Sequence, residues 1–356
     1  MQVEEVSDPS ILEPTDAIVK VTKAAICGSD LHILNFGDAF GIEPGSRVGH
    51  EYIGVVEEVG ADVTHVKPGD KVLSPFWISC GSCHYCHTGL STSCENGGCL
   101  GFQPMFPGAG PGNAELVQGG QSQYVRAPLA PGSLDPVPES LAEAANDLKV
   151  LPLTDVFGTG YHAAKCAGVQ PGSHVVVVGD GAVGLCAAQS AKALGAETVT
   201  VMGHHDDRLT VAERMGATHT LNTTGDEGAA AEHAKAVSGG LGPDAVVAAV
   251  ASPDTMAWAA ENVRPGGSIG WVGMEVFLEG PQIPWDQVFF KNVSINGGVA
   301  PVKDYLPDLW PLLENGTVDP SPVMTHDLTM DEAARGYDIM NNRDEGSVKV
   351  AISPNG

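Results

Sequence analysis

Cationic side chains are scarce in this chain. Its 356 residues hold 18 Lys and Arg against 44 Asp and Glu, a formal net charge of −26. That balance excludes nucleic acid as a partner, because phosphate contacts need a cationic surface. It favours a solvated exterior instead. Long apolar runs are lacking too. No stretch reaches the roughly 20 residues of a membrane-spanning helix. The opening MQVEEVSDPS has neither the basic start nor the apolar centre of a secretory signal. A cytoplasmic protein with no membrane partner is expected. With 43% hydrophobic and 17% charged residues the chain is globular, and it is long enough for two domains with their own cores.

Cysteine is also limited, to eight residues, and unevenly spread. In a cytoplasmic chain of this size such residues are metal ligands or buried thiols, not a disulfide framework. Cys27, Cys166 and Cys186 stand alone, whereas Cys80, Cys83, Cys86, Cys94 and Cys99 cluster. The spacing Cys80-x2-Cys83-x2-Cys86-x7-Cys94, interrupted by Gly81 and Gly89, lets four thiolates close around one tetrahedral zinc. Four protein ligands leave no open position, so such a site is structural. A nucleic-acid zinc ribbon would carry basic residues, and none lies between Cys80 and Cys94. His84 and His87 are then exposed residues of the lobe, and Cys99 is a spare thiol.

The sequence is richest in information at His174-Val-Val-Val-Val-Gly-Asp-Gly-Ala-Val-Gly184. Four valines in succession suit a strand buried on both faces, as in a parallel sheet. Gly179-x-Gly181-x-x-Gly184 follows directly, and Leu185–Leu194 reads as a helix rich in small residues. A glycine turn between strand and helix lets a pyrophosphate approach the helix N-terminus, where free N–H groups and the helix dipole favour negative charge.

Before this turn the pattern is short strands with Gly/Pro turns: Ala17–Lys23, Glu51–Val59 and Lys71–Leu73. After it strands and helices alternate, as in βαβ units. Strands are expected at 198–202, 220–222, 244–250, 267–272 and 293–296, with helices at 207–215, 226–237 and 254–262. Together with the valine strand they make a six-stranded doubly wound sheet. The tail predicts helices at 302–314 and 330–340, a strand near Thr325 and a closing strand at 348–352.

Two further runs hold chemistry-bearing side chains. Cys27-Gly-Ser-Asp-Leu-His32 follows the first strand, and Gly49-His50-Glu51 opens the next long one. Cysteine and histidine suit zinc, yet Cys27 alone also reads as a small buried hydrophobe and His50 as a turn residue.

Together these motifs, with Thr159-Gly160-Tyr161 and in this order, give a chain that resembles the zinc-dependent medium-chain alcohol dehydrogenases, bacterial and archaeal type, over essentially its whole length. The resemblance implies an α/β fold: a Rossmann doubly wound parallel sheet plus a β-rich GroES-like catalytic domain with a four-cysteine zinc lobe. It implies a catalytic domain at 1–153 and 299–356, including the lobe 80–99, and a dinucleotide-binding domain at 154–298. Family members usually carry an extra strand ahead of Ala17–Lys23, and this chain enters later.

The resemblance implies two zinc ions per chain. Cys27 and His50 match ligands of the catalytic zinc. Its third ligand is commonly a cysteine shortly before the Thr-Gly-Tyr run, and that place holds Asp155, as in some bacterial and secondary-alcohol members. A carboxylate is a legitimate zinc ligand with the charge of a thiolate. The other reading of Asp155 is a helix N-cap. Glu51 matches the glutamate beside the zinc. Ser29 resembles the hydroxyl that contacts the alcohol oxygen, and also reads as a turn hydroxyl. His32 resembles the outer end of the proton relay, and also reads as an exposed imidazole. Phe76 and Trp77 match a pocket-wall segment, and also suit a core. Loops at 101–123 and 274–290 would shape the pocket.

The family function is hydride transfer between an alcohol, primary or secondary, and a nicotinamide dinucleotide, reducing the aldehyde or ketone in reverse. Thr159, Gly179, Gly181, Ala182, Val183 and Gly184 match its cofactor-binding positions. An NAD site wants an acid about 20 residues past the glycines. Gly203 stands there, leaving space, and His204, His205 or Arg208 could meet a 2′-phosphate. NADP is expected, with NAD through Asp206 as the alternative. Competing readings are an NAD-dependent polyol or threonine-type dehydrogenase, an aldehyde dismutase, or a non-catalytic zinc and dinucleotide-binding protein. The family's pairing of its last sheet strand between subunits implies a homodimer or homotetramer.

Overall fold

The computed structural model describes residues 1–356 apart from 38–41, 43–44, 102–117, 226 and 275–282. The chain divides into two compact units. The first comprises Met1–Asp155, Pro301–Glu314 and Met324–Gly356; the second comprises Val156–Ala300 and Asn315–Val323. Asn315–Val323 is held to the second unit by Gln189, whose side-chain amide donates to the Asp319 carbonyl at 3.1 Å and accepts from the Asp319 N–H at 3.0 Å.

The strands, in chain order, are β1 (Ala17–Ile26), β2 (Glu51–Val59), β3 (Lys71–Ser74), β4 (Trp77–Ile78), β5 (Gly98–Cys99), β6 (Tyr124–Ala127) and β7 (Asp135–Pro136). Then come β8 (His174–Val178), β9 (Thr198–Gly203), β10 (His219–Asn222), β11 (Ala245–Ala248), β12 (Ser268–Trp271) and β13 (Ser294–Gly297). The last are β14 (Met324–Thr329) and β15 (Lys349–Ser353). No strand precedes Ala17 among the described residues.

In the first unit the sheet runs β14-β15-β1-β2-β3-β7, with β6 also on β1. Alternation along β1 sends Ala17, Val19 and Val21 into a core with Tyr52, Val56, Val72, Leu100 and Leu134. The register then gathers the site. β1 and β2 are antiparallel with Ala25 opposite Glu51, so Cys27, just past the end of β1, and His50, just before β2, lie at one edge. Tyr52 pairs with Ser74, which brings Phe76 to the same end. The Phe76 N–H donates to the Thr154 carbonyl at 2.9 Å, and that bond delivers Asp155.

The second unit is a six-stranded parallel sheet of order β10-β9-β8-β11-β12-β13. This is the doubly wound order in which ligands bind beyond the carboxyl ends of the central strands. The valines of β8 lie at its centre, and Val175, Val176 and Val177 are buried as a doubly covered strand requires. The helix after the glycine turn begins at Ala182, three residues earlier than the apolar pattern suggested. Besides single turns, two longer helices among the described residues went unforeseen, Gly28–Phe36 and Trp285–Lys291.

Candidate functional site

Four side chains of ligand type meet in the first unit. The Cys27 thiol, a His50 ring nitrogen and one carboxylate oxygen each from Glu51 and Asp155 all lie within 4.8 Å of one another. Asp155 Oδ2 is 3.7 Å from Cys27 Sγ and 3.2 Å from His50 Nε2. All four residues are buried, Glu51 completely. Asp155 directly precedes the helix Val156–Cys166, so the N-cap reading keeps its place in the chain, but its Oδ2 turns toward Cys27 and His50.

Local structure explains the aim of each group. Cys27 caps the helix Gly28–Phe36, and Asp30, at the third helical position, accepts the Cys27 N–H at 2.9 Å, half of a capping box. The other Asp30 oxygen lies 3.3 Å from His50 Nδ1, which leaves Nε2 facing Asp155. A metal-binding imidazole is oriented in this way, by a carboxylate on its remote nitrogen. Gln121 Nε2 donates to Asp30 at 3.1 Å, and Tyr337 donates to Gln121 Oε1 at 2.8 Å. Glu51 pairs with the buried Lys349 ammonium at 2.6 Å.

The donor set asks for positive charge. Burial raises the Cys27 thiol and the Glu51 carboxyl, with Lys349 working against both. Burial alone would lower His50, but Asp30 and Cys27 outweigh it and hold the ring well above its ordinary value. Burial also works to lower Lys349, and Glu51 and Cys27 overcome it and raise the ammonium. Protons are thus drawn into a pocket of anions that a single Lys does not neutralise. A divalent cation fits that requirement and that mixture of S, N and O ligands.

Around the cluster, Ser29 Oγ lies 3.4 Å from His50 Nε2. His32 is one turn further along the same helix and half-buried, with no hydrogen bond to Ser29 among the described residues. Phe76 packs edge-on to His50, ring centroids 6.2 Å apart, and Trp77 stands edge-on to Phe76 at 6.2 Å. The expected pocket loops lie largely outside the described residues, at 102–117 and 275–282.

The second cluster is the lobe. The sulfurs of Cys80, Cys83, Cys86 and Cys94 are all within 4.8 Å of one another. Cys83 Sγ lies 3.5 Å from that of Cys86 and 3.9 Å from that of Cys94. A tetrahedron with Zn–S of about 2.3 Å has edges of about 3.8 Å, so the sulfurs fit one zinc. Burial works to raise Cys80, but the Ser82 hydroxyl and backbone N–H outweigh it and bring the thiol down to about 5. His84 and His87 are exposed, and Cys99 is buried in β5, paired with Trp77 of β4.

In the second unit each glycine of the turn has its own reason. Gly179 has φ +118°, a backbone that side chains rarely adopt. A Cβ on Gly181 would meet nothing within 4 Å, so that face is open to a ligand. A Cβ on Gly184 would lie 2.0 Å from the Gly179 carbonyl oxygen, so helix and strand pack too closely for any side chain. Ala182 and Val183 open the helix, where N–H groups have no helical partner. Thr159 sits in Val156–Cys166, with Gly160 packed against Ala187.

One expectation is corrected here. Gly203 does not leave vacant space at the end of β9. A Cβ there would lie 2.3 Å from Asp180 Oδ2 and 2.4 Å from Asp180 Cβ, so the side chain of Asp180 already fills the position. His205 Nδ1 lies 2.9 Å from Asp180 Oδ2, Arg208 Nη1 lies 3.9 Å from Oδ1, and His204 is exposed. Asp206 instead receives the Asn222 side-chain amide at 2.6 Å.

Sequence reasoning missed Asp30, Gln121, Tyr337, Lys349 and Asp180. Two of them left a signal: an acid three residues after Cys27 is capping-box spacing, and an acid inside a glycine turn is unusual company for a pyrophosphate. Lys349 lies inside the strand expected at 348–352, which gives no sign that its side chain turns inward to Glu51.

Comparison with known proteins agrees with both halves of this architecture. Residues 13–135 match the alcohol dehydrogenase GroES-like domain, and residues 182–315 match the zinc-binding dehydrogenase family. The zinc-type alcohol dehydrogenase-like protein AdhB of Bacillus subtilis is 33% identical over 99% of this chain and 97% of its own. L-threonine 3-dehydrogenase of Anaeromyxobacter sp. is 31% identical over 94% of this chain and 90% of its own. The solved alcohol dehydrogenase TADH from Thermus sp. ATN1 superposes with a TM-score of 0.88 at 33% identity, covering 98% of this chain and 95% of the other.

Proposed function

The chain belongs to the zinc-dependent medium-chain alcohol dehydrogenase family, and from that premise we propose that it interconverts an alcohol, primary or secondary, and its carbonyl compound with a nicotinamide dinucleotide. The observation that carries the reading is the convergence of Cys27, His50 and Asp155. These three residues would hold the zinc. When bound, zinc polarises the substrate oxygen and the nicotinamide carries the hydride.

The chain's own residues supply orientation and proton handling. Asp30 fixes the ring of His50 so that Nε2 is presented. Ser29 Oγ, beside that nitrogen, accepts the substrate hydroxyl proton as it releases its own. His32, one turn further along the helix and not directly hydrogen-bonded to Ser29 among the described residues, receives that proton through a bridging water or hydroxyl. Lys349 keeps Glu51 from standing as a further uncompensated charge beside the ligands. Phe76 and Trp77 give the site an apolar wall that keeps water from the reacting carbon. The four cysteines of the lobe would hold the structural zinc.

The test is a zinc count, activity of Asp155→Ala, and a screen of alcohols and ketones with both dinucleotides. Two zinc per chain, and one zinc with lost turnover in the variant, are expected. One zinc in the native protein and an unimpaired Asp155→Ala would sink the assignment. The likeness to L-threonine 3-dehydrogenase supports a second reading, a polyol or β-hydroxy amino acid as the alcohol. Sequence favoured NADP through Gly203, His204, His205 and Arg208; Asp180 in the space over Gly203 supports NAD instead.

We further propose a homodimer or homotetramer. β13 ends the sheet order, and on the helix that precedes it in the chain Trp285, Phe289 and Phe290 are 66%, 76% and 81% exposed. Exposed apolar side chains and an open strand edge suit a second copy. Light scattering of Phe290→Glu should read a smaller species than the native protein; a native monomer overturns the proposal. A cytoplasmic location suits thiol-rich metal sites, which need a reducing compartment. No helix among the described residues is long and apolar enough to cross a membrane.

A further inference from the structure

The glycine turn carries an acid, Asp180, that the reaction leaves without a task. Its side chain is nearly buried. One oxygen, Oδ2, accepts the backbone N–H of His204 at 2.8 Å and of His205 at 2.9 Å, and lies 2.9 Å from His205 Nδ1. The other, Oδ1, faces Arg208 Nη1 at 3.9 Å, beyond hydrogen-bond distance. Burial works to raise the carboxyl, but the hydrogen bonds from His205 and His204 outweigh it and keep it below the ordinary carboxylate range. Asp180 is therefore an anion, set where the side chain of residue 203 would begin.

We propose that Asp180 decides between the two dinucleotides and selects NAD. In a dinucleotide-binding sheet the acid at the end of the second strand accepts the adenosine ribose 2′-OH. Here that strand ends in Gly203, and the neighbouring turn delivers the carboxylate to the same place. A carboxylate offers about four acceptor sites, so Oδ2 can serve its donors while Oδ1 receives the ribose hydroxyl. A 2′-phosphate would instead set up to about two negative charges against a carboxylate. Arg208 already faces that carboxylate. The residues that suggested a phosphate pocket thus form an acid and its support. This inference rests on the dehydrogenase reading.

Calorimetric titration of the zinc-loaded protein with NADH and with NADPH tests it. The native protein should bind NADH more tightly by about tenfold or more, the usual size of a charge-assisted hydrogen bond. Asp180→Ala and the isosteric Asp180→Asn should each move the affinity ratio toward NADPH by about 10- to 100-fold. A native preference for NADPH overturns the proposal. So does an unchanged ratio in both variants, or an equal loss for both dinucleotides, which would make Asp180 only a cap for His204 and His205. Should neither variant fold, Arg208→Ala decides: equal effects on both dinucleotides support the proposal, and a selective loss of NADPH overturns it. A native protein that binds neither dinucleotide sinks the dehydrogenase reading itself, a result distinct from the wrong preference.

Discussion

The lobe cluster and the buried cluster use cysteine in opposite ways. The lobe gathers Cys80, Cys83, Cys86 and Cys94 from one short run, and its first three ligands are half-exposed. The buried cluster draws Cys27, His50 and Asp155 from the end of a strand, the start of another and the end of a turn, its outermost members 128 positions apart in the chain. Loop closure within the lobe is short and cheap. The buried cluster depends on the register of β1 and β2 and on the Phe76–Thr154 bond. The lobe is four sulfurs and closed. The buried set mixes S, N and O, and it stands in a network of Asp30, Gln121, Tyr337 and Lys349. A closed, local set suits stability, whereas a set assembled by the whole fold can leave a coordination position open and be tuned from behind.

The sharpest way to break this contrast is to remove one ligand from each side. Asp155→Ala should lower turnover about a thousandfold, the several kcal/mol that a metal contributes to transition-state charge. The lobe zinc should stay, so metal analysis should fall from two to one. Retained activity would make the two clusters equivalent in chemistry. Cys86→Ser is the counterpart. It should cost the lobe zinc and lower the melting temperature of the first unit by about 5–15 °C, because a structural metal contributes folding energy directly. Folded protein at low temperature should keep most of its turnover. A loss matching that of Asp155→Ala would mean that the lobe acts on the reaction and not only on the fold.

The same contrast explains what could be read from sequence. The lobe is a spacing pattern, so its four ligands were legible without a fold. The valine strand was legible because burial on both faces leaves a continuous apolar run, and β1 was legible through the alternation of Ala17–Lys23. Cys27, His50 and Asp155 were not legible from spacing, since pairing register brings them together; they came from resemblance. The helix Gly28–Phe36 escaped because Ser-Asp-Leu-His shows little apolar periodicity. The helix Trp285–Lys291 escaped because its aromatic residues are exposed and follow no core-facing pattern. Gly203 was misjudged for a related reason. A glycine in sequence looks like room, and only the neighbouring turn shows that Asp180 occupies it.

The finest distinction between the clusters lies two contacts away from the metal position. Gln121 makes no hydrogen bond to a candidate ligand side chain among the described residues. It bridges Tyr337 to Asp30, and Asp30 in turn faces His50 Nδ1. It also packs over Gly49, where an added Cβ would lie 2.4 Å from Gln121 Cγ, so the backbone before His50 is shaped to admit it. Gln121→Leu keeps much of that volume and removes the side-chain hydrogen bonds to Asp30, to Tyr337 and to the Ala25 carbonyl. Asp30 retains the Cys27 N–H and His50, so the imidazole should loosen without being lost. Groups directly behind a ligand are worth about 10- to 100-fold in metal affinity, and one further removed should sit near the lower end, about tenfold. A chromophoric chelator competing for both zinc ions measures this with an internal standard. The zinc of the buried cluster should leave about tenfold faster in Gln121→Leu, while the lobe zinc leaves at its native rate. Equal acceleration of both would show a general loosening of the first unit. No change in either would show that the chain from Tyr337 to His50 holds the fold alone and leaves the metal untouched.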